Sequence, residues 1–153
     1  MCTFYTGPLY NLKRGSGGGS ATKDVSVINA GGVADTKAHE AFCGTGVCIV
    51  QTIYDQSPHG NHLGIEDGAS NLGPPRNAQD SGVNFTDPRS KAVLGGRPVY
   101  AAFFAGSWSG GSTPTDFVGQ GYSNRTARAT AVGDEPQSMY AVFGGNYYNG
   151  GCW

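Results

Sequence analysis

Apolar residues along the chain fall in short runs, each closed by glycine, proline or small polar residues. After the turn signal Thr6-Gly7-Pro8, the run Leu9-Tyr10-Asn11-Leu12 predicts a strand with one buried face. Arg14 to Ser20 is almost all glycine and serine. It lacks the Lys-Ser or Lys-Thr pair of a phosphate-cradling loop, so it predicts a flexible hairpin loop. Val25-Ser26-Val27-Ile28 predicts a short strand ending at Gly31-Gly32. Ala34 to Phe42 predicts one or two helical turns, with His39 and Glu40 as a solvated surface pair. Val47 to Tyr54 is β-branched and aromatic and predicts a buried central strand. Glu66 to Pro88 is polar and predicts a long surface loop. Ala92-Val93-Leu94 and Val99 to Phe104 flank Gly95-Gly96-Arg97-Pro98 and predict a hairpin. Trp108 and Phe117 read as loop aromatics, and Ser138 to Phe143 as another apolar strand. About five to seven short strands between turn signals favour an all-β chain of the sandwich kind.

The stretch that organises the rest is Thr52-Ile53-Tyr54-Asp55-Gln56-Ser57-Pro58-His59-Gly60-Asn61-His62-Leu63. It carries the central strand into a sharp bend. Pro58 fixes φ, Gly60 can take positive φ, and Asn61 tolerates the left-handed region. A bend beside a core strand needs internal hydrogen bonds, because its backbone cannot use the sheet ladder. Asp55, Gln56, Ser57, Asn61 and His62 therefore read first as a side-chain-stabilised turn, and second as a polar cluster facing a carbohydrate. His59 and His62 have no third ligand at a zinc-like spacing, so no metal is assigned.

Composition narrows the class. The chain has 153 residues, enough for one domain or part of a larger one. Its 26 glycines and 14% charged residues argue against long helices and against a charged disordered tail. A net charge of −1, without a basic stripe, gives no electrostatic case for nucleic acid. No apolar run is long enough for a membrane-spanning helix. Cys43 and Cys48 enclose a four-residue loop. A disulfide is sterically allowed there, and two free thiols are the alternative. Asn84-Phe85-Thr86 and Asn124-Arg125-Thr126 are sequons for N-glycosylation, which lean towards a secreted, oxidising setting. Cys2 and Cys152 can pair with each other, pair elsewhere, or stay free. No cofactor is expected.

The order of these blocks resembles the catalytic domain of α-L-arabinofuranosidase B, glycoside hydrolase family 54. The resemblance runs from Thr6 to Ser16, through Ala30 to Asp35, Phe42-Cys43 and Cys48. It continues in Ile53 to Ser57 and Gly60 to Leu63, and ends in Gly133 to Tyr140 and Tyr148 to Cys152. It implies a concanavalin-like β-sandwich, of which residues 1–153 form an N-terminal portion. It implies a retaining, exo-acting enzyme that releases terminal arabinofuranose from arabinan or arabinoxylan, and a disulfide between Cys43 and Cys48. Family members hold the sugar against two adjacent cysteines. Cys152 matches the first and Trp153 replaces the second, so this pair is the expected substrate-binding site, with the indole face offered to a furanose ring. The family's two catalytic carboxylates lie later than Cys152, so no catalytic residue is assigned within the chain. Asp134-Glu135 and Glu66-Asp67 read as surface acids. The competing reading is a non-catalytic carbohydrate-binding or structural sandwich of an extracellular assembly. A partial sandwich would expose strand edges and apolar faces, so a complementary chain or segment is also expected.

Overall fold

The computed structural model describes residues 4–15, 20–65, 88–103, 107–108, 117–118, 121–124, 126–139 and 141–142. Nine strands, one α-helix and a short 3-10 helix (Pro88–Ser90, before β5) lie among them, in the order β1 (Pro8–Arg14), β2 (Ala21–Ser26), α1 (Thr36–Cys43), β3 (Cys48–Ile53), β4 (Leu63–Ile65), β5 (Lys91–Leu94), β6 (Arg97–Tyr100), β7 (Ser107–Trp108), β8 (Phe117–Val118) and β9 (Tyr122–Ser123). Five form an antiparallel sheet in the order β2-β1-β3-β4-β9. Two further ribbons pair β5 with β6 and β7 with β8.

The core is small and follows strand alternation. Leu12 faces Val50 across β1 and β3, and Tyr10 faces Val25 across β1 and β2. Leu12, Val25, Cys48 and Val50 are buried, with Cys43 closing the cluster from the helix. In β3 the buried Cys48 and Val50 are two apart and so share one face. β1 and β2 pair with Arg14, the last residue of β1, opposite Ala21, and residues 16–19 of the loop read from Arg14 to Ser20 lie outside the described residues. Gly95 and Gly96 turn the β5–β6 hairpin with φ of 57° and 77°. Two successive positive φ values are what a tight two-residue hairpin turn requires.

Helix α1 begins where Asp35 accepts a hydrogen bond from the Ala38 N–H at 3.0 Å, an N-cap contact that satisfies one free helix donor. At its other end, Arg14 donates to the Phe42 carbonyl at 2.8 Å and lies over the Phe42 ring. A cation there complements the helix C-terminus. The helix is fixed to β3 by a disulfide between Cys43 and Cys48, whose Cα atoms are 5.5 Å apart.

Four sequence expectations need correction. In the β5–β6 hairpin, Arg97 and Pro98, read as turn, belong to β6, and the strand read from Val99 to Phe104 stops at Tyr100. The strand placed at Val25 to Ile28 starts earlier, because β1 pairs in register with Ala21 to Ser26, and only an isolated bridge joins Val27 to Ala34. Trp108 and Phe117 are strand partners across β7 and β8 rather than loop residues. No strand forms at Ser138, Met139, Ala141 or Val142, the described residues of the expected 138–143 strand. Met139 and Val142 are 94% and 87% exposed. Among the described residues no strand pairs with them, and apolar character alone does not make a strand. The loop expected at Glu66 to Pro88 lies outside the described residues except for Pro88.

Candidate functional site

The bend after β3 is built around one carboxylate. Asp55 accepts from the Ser57 N–H at 2.8 Å, the Ser57 hydroxyl at 2.6 Å and the Asn61 N–H at 2.8 Å. These hydrogen bonds, led by the Ser57 hydroxyl, hold its pKa down at about 2. The Asp55 N–H in turn donates to His62 Nδ1 at 3.0 Å, which puts the proton of a neutral His62 on Nε2. The His62 ring meets Tyr54 edge-on at 5.0 Å. Gly60 turns the chain with φ of 66°. The first reading of this stretch, a side-chain-stabilised turn, therefore holds. An open groove of about 410 Å3 runs beside it, lined by Tyr54, Asp55, Ser57, His59, Asn61 and neighbours.

Asn61 extends this turn to a distant segment. Its Nδ2 donates to the Arg128 carbonyl at 2.7 Å, and its Oδ1 accepts from the Arg128 N–H at 2.8 Å. The side-chain amide thus pairs with the backbone as a strand would, across 67 residues of sequence. Ala129, next along, has a φ of 54°, a left-handed conformation that costs a non-glycine residue energy. Replacing Asn61 by Ala should remove both bonds and destabilise this region by about 1–2 kcal/mol. Hydrogen exchange of the 126–132 amides is the readout, and unchanged protection there would contradict the clamp.

A second cluster forms where α1 meets the β5–β6 hairpin, and here the sequence expectation fails. His39 is only 2% exposed, not a solvated surface residue. It stacks on Tyr100 with ring centres 4.1 Å apart and planes within 9°, and meets Tyr10 edge-on at 5.8 Å. The Tyr10 hydroxyl and His39 Nδ1 share a hydrogen bond of 2.9 Å. The Tyr100 hydroxyl donates to Glu40 at 3.0 Å. Burial, partly offset by Glu40 and reinforced by Lys91, pulls the His39 pKa down to about 4. Burial and the Glu40 contact push Tyr100 up to about 12, and burial also raises Tyr10. One signal was present in the sequence. His39 stands four residues before Cys43, so both lie on the helix face turned to the core.

The acids of the described residues are mostly engaged in holding the fold. Asp24 accepts from Asn11 at 2.7 Å and from the Tyr54 hydroxyl at 2.8 Å. Asp35 caps α1, Glu40 holds Tyr100, and Asp55 holds its turn. Glu135 accepts from the Val132 N–H at 2.9 Å and is exposed with Asp134, as read for surface acids. Among the described residues no group of three or more His, Cys, Asp or Glu is placed to hold a metal ion. Cys43 and Cys48 form the disulfide that the resemblance implied. Asn124 follows β9, while Asn84, Cys152 and Trp153 lie outside the described residues.

The description "Alpha-L-arabinofuranosidase B, catalytic" belongs to the family whose pattern matches residues 1–153. The chain belongs to this family. It is 40% identical over 148 residues to a probable α-L-arabinofuranosidase B of Aspergillus terreus, covering 97% of this chain and 26% of that protein. It is 38% identical to α-L-arabinofuranosidase B of Penicillium canescens, covering 97% of this chain and 28% of that protein. The chain thus spans about a quarter of the length of the curated relatives it matches. A crystal structure of an arabinofuranosidase complexed with arabinofuranosyl-α-1,2-xylobiose superimposes with a TM-score of 0.69 at 33% identity, over 87% of this chain and 24% of that one. A family-54 α-L-arabinofuranosidase soaked with a cyclic sulfate inhibitor gives 0.65 at 32% identity, over 88% of this chain and 24% of that one. Family-54 arabinofuranosidases are β-sandwiches, so the all-β sandwich class expected for this chain stands.

Proposed function

We propose that the chain is the N-terminal portion of the catalytic β-sandwich of a secreted, exo-acting, retaining α-L-arabinofuranosidase. Its substrates are arabinose-containing polysaccharides such as arabinan and arabinoxylan, from which it releases terminal arabinofuranose. The observation that carries this reading is the match of the family's catalytic domain to residues 1–153, with 40% identity to a relative of that name. The arabinofuranosyl ligand of a solved relative supports the substrate class. A retaining reaction uses two carboxyl groups roughly 5–5.5 Å apart across the scissile bond. The family resemblance, with the chain covering 26% of its relative, supports placing the catalytic pair beyond Trp153. Cys152 and Trp153 would then meet the sugar. The disulfide supports an oxidising, extracellular setting and the sequons a glycoprotein. The exposed Val93, Leu94, Val132, Met139 and Val142 suit a covering segment or chain that completes the sandwich.

The test is hydrolysis of 4-nitrophenyl α-L-arabinofuranoside by the full natural polypeptide that carries this chain. Release of 4-nitrophenol is expected, with the first-formed sugar in the α configuration by proton NMR. Binding of arabinan without any release would instead support the non-catalytic carbohydrate-binding reading.

A further inference from the structure

We propose that Asn124 carries an N-linked glycan at the end of the last strand of the five-stranded sheet. Asn124-Arg125-Thr126 is a sequon by sequence, and the fold holds it in a form that admits a sugar. Asn124 Oδ1 accepts from the Thr126 N–H at 2.9 Å and from the Thr126 hydroxyl at 3.1 Å. Its Nδ2, the atom that would bear the sugar, has no hydrogen-bond partner among the described residues. Two other side-chain amides of the fold are used differently. Asn11 Nδ2 is spent on Asp24 and Asn61 Nδ2 on Arg128. A sugar on either would compete with an N–H already engaged, whereas Asn124 Nδ2 carries no such contact among the described residues.

The site is also held firmly on both sides. Before it, the Tyr122 hydroxyl donates to the Val50 carbonyl at 2.9 Å, and Ser123 pairs with Gly64. After it, Asn61 grips Arg128. Thr126 is exposed and Asn124 half-buried, so the residue is anchored while its surroundings open to solvent. A glycan here stands beside β9, the terminal strand in the sheet order, and crowds the approach of a foreign strand to that edge.

The transfer is a substitution at a sugar carbon. Nδ2 attacks the anomeric carbon of a polyprenyl-diphosphate-linked oligosaccharide, the carbon–oxygen bond to the diphosphate breaks, and a carbon–nitrogen bond forms. Nδ2 loses one proton, and the polyprenyl diphosphate leaves with the electron pair. The proposal rests on the secreted reading above, because that donor meets the chain only in the secretory pathway.

The full natural polypeptide would be produced in yeast behind the host's own leader, so that a failure at Asn124 is separate from a failure of native secretion. Enzymatic release of N-glycans in heavy-oxygen water converts a glycosylated asparagine to labelled aspartate, which peptide mass spectrometry reads. Labelled aspartate at position 124 is expected in most molecules, lost in Thr126→Ala and kept in Thr126→Ser. Recovery of unlabelled Asn124 from the unsubstituted protein would overturn the proposal, as would labelling that persists in Thr126→Ala.

Discussion

Lowering the pH from 6.5 to 4 is expected to destabilise the fold through His39. The folded pKa is about 4, below the ordinary value of 6.5. Between these values the unfolded chain binds a proton that the folded chain refuses, so stability rises with pH across this window. The contribution is complete above pH 6.5, is lost as pH falls, and stops changing below about 4. The full shift corresponds to about 3 kcal/mol; His39 itself is buried, but Tyr100 and Glu40 beside it reach solvent, and screening through them reduces this to about 2 kcal/mol. The groups facing the ring are Tyr10, Tyr100, Glu40 and Lys91. Urea unfolding at several pH values measures the slope. His39→Phe should keep the stack on Tyr100 and flatten the slope between pH 6.5 and 4. An unchanged slope in that variant would assign the acid sensitivity to other groups.

Removing the Cys43–Cys48 disulfide should have a comparable effect. A bridge five residues apart closes a small loop, and loop-closure entropy alone gives it about 2 kcal/mol. Both cysteines also belong to the buried core, so the double substitution to Ser adds two polar groups to an apolar cluster. The double substitution to Ala should therefore cost less than that to Ser. Local hydrogen exchange at the end of α1 and the start of β3 would report the loss. If both variants kept wild-type protection there, the Arg14–Phe42 and Tyr10–His39 contacts and core packing would be holding the helix to the sheet without the bridge.

The features legible in the sequence are those that short stretches determine by themselves. The Gly95-Gly96 hairpin needed only two residues that accept positive φ. The Asp55 turn needed only acceptors and donors within a few residues of each other, and these meet in the fold. The central strand was visible because β-branched and aromatic residues gathered in one run. Boundaries were less legible. β2 reaches back to Ala21 because β1 offers a partner there, not because Ala21-Thr22-Lys23-Asp24 looks like a strand. Strands of two residues, such as β9, leave no pattern to read.

The sequence by itself determined the class, the turn chemistry and the family, since local propensity, glycine placement and block order are written along the chain. Tertiary structure alone decided where the distant groups meet. It carried His39 from a presumed surface pair into a stack with Tyr100, and it set Asn61 against Arg128 across 67 residues. Burial and long-range hydrogen bonds depend on which faces the folded chain brings together. The spacing of His39 and Cys43 marks the buried helix face, but no neighbour along the sequence names Tyr100 or Arg128 as the partner.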